Sequence, residues 1–170
     1  LNAKYTLGLQ RPQFVDTTNL IADLNERSNT LRQEAARKGL TLLRQMPATL
    51  RAQFKKEQPR VAYVQLGGKE LTVFGKRLQQ DWNAASFHLT YRDSLVKADS
   101  ILTEVKTKGY DIVLVGLHDY ANKPMNNFNI STAATYLGNA LQGDSTLTLL
   151  FGNVLAAKNF CSAKSLVALQ

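Results

Sequence analysis

Residues 116–128 read GLHDYANKPMNNF and follow directly on the run DIVLV at 111–115. Polar loops that leave the end of a buried strand are common places for binding and catalysis. His118, Asp119, Lys123, Asn126 and Asn127 offer donors and acceptors suited to a polyhydroxylated ligand or to the backbone of a partner loop. Gly116 allows the chain to turn closely. The same residue types also favour turns on their own account: Asn and Asp tolerate left-handed backbone, Pro124 fixes φ, and Ser131 suits a helix cap. Both readings stay open at this level. His118 and Asp119 do not read as a catalytic dyad, because neighbours on an extended segment point apart. His88, between Phe87 and Leu89, reads as a structural histidine.

Other reaction machinery is hard to find. LGGKEL at 66–71 has neither the glycine spacing of a dinucleotide fingerprint nor the GK[ST] of a phosphate loop. A phosphoacceptor site needs an acidic cluster after the first strand, and none is there. There is no GxSxG elbow, no HExxH and no metal-ligand spacing, and the single cysteine, Cys161, forms neither an internal disulfide nor a cluster. Cys161 reads as a core or helix-end thiol. Neither a metal nor a cofactor is expected.

The elements that hold the loop are readable from periodicity. VAYVQLGG, SFHLTY, YDIVLVGL, TLTLLFG and SLVAL read as strands, separated by helical segments at Leu71–Trp82, Asp93–Lys108, Ser131–Asn139 and VLAAKNF. Strands apolar on both faces and joined by helices imply a parallel sheet covered on both sides. The expected fold is therefore a doubly wound α/β domain, a flavodoxin-like three-layer sandwich with a mostly parallel sheet, preceded by a helical linker segment. In such a sheet ligands gather beyond the carboxyl ends of the strands, at the switch point of strand order. That rule adds Asn153, in FGN at 151–153, to the candidate residues.

Upstream, LNAKYTLGLQRPQFVDTTNL reads as an extended lead-in, and Leu20, Ile21, Leu24, Leu31, Ala35, Leu40 and Leu43 recur at helical spacing, with Asp16, Thr17 or Thr18 as caps. This segment should pack on the sheet, since alone it cannot bury its apolar face. The expected division is 1–46 as linker and helical lead-in and 47–170 as the sandwich, a C-terminally truncated one whose last strand leaves an open edge.

With 170 residues, 44% hydrophobic and 20% charged, the composition is that of a globular chain rather than a disordered one. The net charge of +8 is spread along helical faces with acids interleaved, which argues against a nucleic-acid stripe. No run is long enough to span a membrane.

The runs KGYDIVLVGLHDYANKPMNNFNIS, TLTLLFGNVLAAKNF and SLVAL, together with LNAKYTLGL, NLIADLN and ARKGLTLLRQ ahead of them, resemble the carboxy-terminal α/β sandwich domain of family 3 glycoside hydrolases, of the bacterial β-N-acetylglucosaminidase type. The resemblance spans nearly the whole chain. It implies that the chain is the non-catalytic second domain of a β-N-acetylhexosaminidase. Retaining hydrolysis would be run by a barrel ahead of it, and the fragment alone would be inactive. No residue here takes a catalytic role; Asp119 stands nearest by position to a glutamate that glucosidase-type members use. His118, Asp119, Lys123, Asn126, Asn127 and Asn153 would face the barrel or rim the sugar subsite. The partners implied are that barrel and an amino-sugar glycan, with no nucleic acid. The compartment is open, a periplasmic or secreted parent being the one the resemblance suits. The rival reading is a free-standing flavodoxin-like ligand-binding or signalling domain.

Overall fold

The computed structural model describes residues 2–8 and 17–169. By contacts the chain divides into two units, Leu1–Arg37 and Lys38–Gln170. In the first part, α1 (Asn2–Thr6), α2 (Leu20–Asn25) and α3 (Ser28–Gly39) bury none of their described residues. Asn2–Thr6 is helical rather than extended, and Asn19, in left-handed conformation, precedes α2 in place of the threonines. Asp16 lies outside the described residues. Gly39 is the last residue of α3.

The second unit is an α/β sandwich built on one six-stranded sheet in the order β1-β6-β5-β4-β2-β3. Its strands are β1 (Leu40–Arg44), β2 (Val61–Leu66), β3 (Ala85–Leu89), β4 (Ile112–Leu117), β5 (Thr146–Phe151) and β6 (Leu166–Leu169). Strands β2 to β6 run parallel, and β1 pairs antiparallel with β6.

β1 corrects two expectations. Leu40 and Leu43 fit a helical spacing but lie in a strand, since pairing with β6 satisfies their backbone groups better than further helix would. The edge of β6 is accordingly covered, not open. Arg44 anchors β1, its guanidinium donating to the carbonyls of Phe160, Cys161 and Ala163 at 3.3, 2.9 and 2.6 Å. Leu40, Leu42 and Leu43 remain exposed. Cys161 is an exposed thiol at the end of a 3₁₀ turn over Val154–Phe160.

The remaining elements follow the expected β-α alternation. Every residue of β2 is buried, and its side chains alternate between two cores: Ala62, Val64 and Leu66 face one, Val61 and Tyr63 the other. The first core is closed by α6 (Leu95–Lys108) and α7 (Thr132–Ala140), the second by α4 (Ala48–Gln53) and α5 (Val73–Trp82). Helix α6 shows why it forms where it does: Ser94 accepts from the Lys97 N–H, Ala98, Ile101 and Val105 make the buried stripe, and Gly109 ends it with φ +58°. Ser131 caps α7 by accepting from the Ala134 N–H.

Candidate functional site

Strand order reverses between β2 and β4, which are parallel neighbours: from β2 the chain goes outward to β3, then returns to β4 and proceeds through β5 and β6. The crevice that this creates lies at the carboxyl ends of β2 and β4. Its walls are the loop 67–72 and the loop that begins at His118.

The first wall is held chiefly by a residue that the sequence pattern does not single out. Gln65, fully buried, donates to the carbonyls of Gly67 and Glu70 at 3.0 and 2.8 Å and accepts from the backbone N–H and hydroxyl of Thr72 at 2.9 and 3.0 Å. One side chain thus staples the turn between β2 and α5. The signal for it was an amide inside the otherwise apolar VAYVQL. Gly67 has φ +91°, and a Cβ there would fall on the His118 carbonyl and the Tyr91 ring, so the turn needs glycine for both conformation and space. His88 donates from Nε2 toward the carbonyls of Gly67 and Gly68, each at 3.1 Å, which makes it the structural histidine expected.

His118 is turned inward. Its Nε2 and the Tyr63 hydroxyl share a hydrogen bond of 2.7 Å, and its ring stacks on Phe151 with centroids 4.2 Å apart and planes 17° apart. Burial lowers its pKa to about 4 against the opposing pull of the Asp119 carboxylate, so the imidazole is neutral at pH 7. Burial likewise pushes the Tyr63 phenol up to about 12. The backbone of His118 ties the two strand ends together: its N–H donates to Leu66 O at 2.9 Å, and its carbonyl accepts from the Tyr91 hydroxyl at 2.7 Å. Burial raises the Tyr91 pKa, with smaller contributions from Tyr120 and Asp119.

Asp119 points the other way. It is exposed, has φ +52°, and sets a carboxylate oxygen 3.2 Å from where a Gly68 Cβ would stand. With Lys69, Glu70, Thr72 and Lys76 it lines an open cavity of about 700 Å³ at the switch point. Its lining carries two acids and two lysines, which balance in charge, so it suits hydroxyl and amide groups better than a bare anion.

Beyond Asp119 the loop is pinned by aromatic and amide contacts. Tyr120 donates its hydroxyl to Asn153 O at 3.2 Å and meets Phe128 edge on, centroids 6.3 Å apart. Asn153 donates to Asn122 O at 2.7 Å and accepts from the Leu155 N–H at 2.9 Å. The structure therefore brings Asn153 and the loop together, as the strand-end rule required. Asn126, Asn127, Phe128 and Asn129 have φ of 48°, 54°, 57° and 58°, a left-handed turn that closes over the buried Phe128. Three of these four are asparagine, the non-glycine residue that best accepts this conformation. Lys123, Asn126 and Asn127 are exposed, and their side chains bond no other described residue. Among the described residues no group of acids, histidines and cysteines is placed to hold a metal, and no helix is long and apolar enough to cross a membrane.

No family model matches this sequence, and no curated protein matches it. A solved structure does: a glycoside hydrolase family 3 β-N-acetylglucosaminidase from Paenibacillus sp. str. FPU-7, with a TM-score of 0.61 and 13% identity over 85% of this chain. The match spans 27% of that enzyme's length. The chain shares with part of that enzyme the fold of an α/β sandwich with a mostly parallel six-stranded sheet.

Proposed function

We propose that the chain is a non-catalytic α/β domain of a family 3 glycoside hydrolase of the β-N-acetylhexosaminidase type. The hydrolytic carboxylates would belong to a barrel elsewhere in the same polypeptide. The observation that carries the reading is the fold likeness over 85% of this chain to a 27% share of a β-N-acetylglucosaminidase. A second observation agrees with it. The strand-end loops are rich in hydrogen-bonding groups yet hold no nucleophile beside a base, and their histidine is buried and neutral. In this reading residues 1–46 lead in from the barrel, their last part supplying strand β1 to the sandwich that 47–170 otherwise form. Asp119, Lys123, Asn126 and Asn127 face the barrel or rim the amino-sugar subsite, while His118 and Asn153 hold that rim in shape. A rigid polar rim assists a two-carboxylate mechanism by excluding water and orienting the sugar.

The test is hydrolysis of a chromogenic N-acetyl-β-glucosaminide by three preparations: this chain, its parent polypeptide, and the parent carrying Asn126→Ala and Asn127→Ala. The expected result is activity in the parent alone, weakened by the double change while the fold survives. Cleavage by the chain itself would refute the division of labour, and an unimpaired double variant would leave the loop a structural role only. Stoichiometric flavin binding by the chain would favour the free-standing reading instead.

A further inference from the structure

At the opposite end of the sheet, before the first residues of β2, β3 and β4, a cleft of about 820 Å³ opens between Phe54, Trp82 and Tyr110. Trp82 meets Phe54 edge to face, with centroids 5.8 Å and planes 80° apart, and it keeps 38% of its surface open. Tyr110 is held on one side by the Arg60 guanidinium, 5.6 Å from its ring centre, and by the edge-on ring of Phe87 at 6.2 Å. Both rings are thus fixed in place by neighbours before any ligand arrives.

Two carboxylates in or beside the cleft are already paired. Asp111 accepts from Lys56 at 2.7 Å and from the Arg60 N–H at 2.9 Å, and these donors hold its carboxyl below the usual carboxylate range. Asp81 is paired with Arg77 at 2.6 Å. Glu57, Gln58 and Gln80 line the same cleft, and their side chains bond no other described residue. Fixed aromatic faces beside free amide and carboxylate groups fit a ring with an apolar face and a hydroxylated edge.

We propose that this cleft is a carbohydrate-binding subsite, separate from the strand-end loops. Trp82 is its stacking platform, and Glu57, Gln58 and Gln80 are the partners of the sugar's hydroxyl and amide groups. The class of ligand rests on the lining of the cleft; only the choice of an amino-sugar probe rests on the function proposed above.

Trp82 is the single tryptophan of the chain, so intrinsic fluorescence reports on this cleft directly. The chain is titrated into the millimolar range with N,N′,N″-triacetylchitotriose and separately with cellotriose. A saturable change in emission is expected with at least one sugar. The variant Gln58→Ala, Gln80→Ala, which keeps the reporter, should raise the midpoint roughly tenfold, the loss of about one well-made hydrogen bond pair. Lys106→Ala, on the exposed face of α6 and outside both clefts, should leave the midpoint unchanged. Saturation by cellotriose alone upholds the subsite while counting against the amino-sugar reading of the parent enzyme. No saturable change with either sugar, a response undiminished in the double glutamine variant, or a response lost in Lys106→Ala would each overturn the proposal.

Discussion

The Tyr63 hydroxyl and Nε2 of His118 lie 2.7 Å apart between two parallel strands of the sheet, with the imidazole laid flat on Phe151 from a third. The histidine that most invites a catalytic reading is therefore an interior anchor. It fixes the point at which the polar loop departs, and Asp119, one residue later, is the first side chain to reach the crevice.

A pH dependence follows from this burial. His118 titrates near 4 in the folded protein against 6.5 in the unfolded chain, so the unfolded state binds more protons between these values. The stability tied to the neutral imidazole is fully present above pH 6.5 and is lost as pH falls toward 4. The loss is on the order of 2 kcal/mol, reduced by whatever solvent reaches the ring. Urea unfolding at pH 7, 5.5 and 4 measures it. A His118→Gln variant should be less stable at pH 7 and should show a flatter slope over that window; an unchanged slope would show that His118 is not the group responsible.

Gln65 should be costly to lose although it lies in β2, outside the loop it supports. Replacing it with Leu keeps the volume but strips the Thr72 N–H and the Glu70 and Gly67 carbonyls of their partner. Unsatisfied groups of this kind cost about 1–3 kcal/mol each, and partial rescue by water brings the expected total to about 2–4 kcal/mol. Hydrogen exchange should also quicken at Thr72 in Gln65→Leu, whereas a merely packing role would leave that amide protected.

Gly67→Ala tests whether the β2 turn is conformationally exacting. At φ +91°, with the His118 carbonyl and the Tyr91 ring where a methyl would stand, alanine has to shift the backbone at the switch point. A loss of about 2–4 kcal/mol is expected, with Gly68→Ala milder because its nearest neighbours are side-chain ends. Equal effects at the two positions would contradict the geometry.

Much of this architecture is legible in the order of apolar runs and breakers. VAYVQL, DIVLVGL and TLTLLF are too apolar to be anything but buried strands, and Ser94, Ser131 and Gly109 mark helix ends by capping chemistry alone. LTLLR at 40–44 was not legible. Its leucines match helical spacing as well as strand, and what decides between them is β6, more than 120 residues away. Local pattern carries no information about such a partner. The candidate site divides in the same way. Its polar loop was visible because turn-forming residues cluster after a strand. The inward turn of His118 was not, because it depends on Tyr63, which sits 55 residues upstream in a different strand. The cleft around Trp82 was missed for the same reason, its lining being drawn from three separate segments.

The asparagines allow the two readings of the loop to be separated by experiment. Asn127 has φ +54° within the left-handed turn, and its exposed side chain bonds no other described residue. If conformation is its whole purpose, Asn127→Gly should leave stability within about 0.5 kcal/mol, since relief of strain and loss of chain entropy offset each other. Asn127→Val, β-branched and poorly suited to positive φ, should cost about 1–2 kcal/mol. Under a recognition role the glycine variant keeps this stability, yet in the parent polypeptide it raises KM for an N-acetyl-β-glucosaminide severalfold with kcat little changed. The amide would then supply binding rather than shape. A glycine variant equal to the parent in both stability and KM would assign Asn127 to the turn alone, and the contacts of the loop would have to come from Asp119, Lys123 and Asn126.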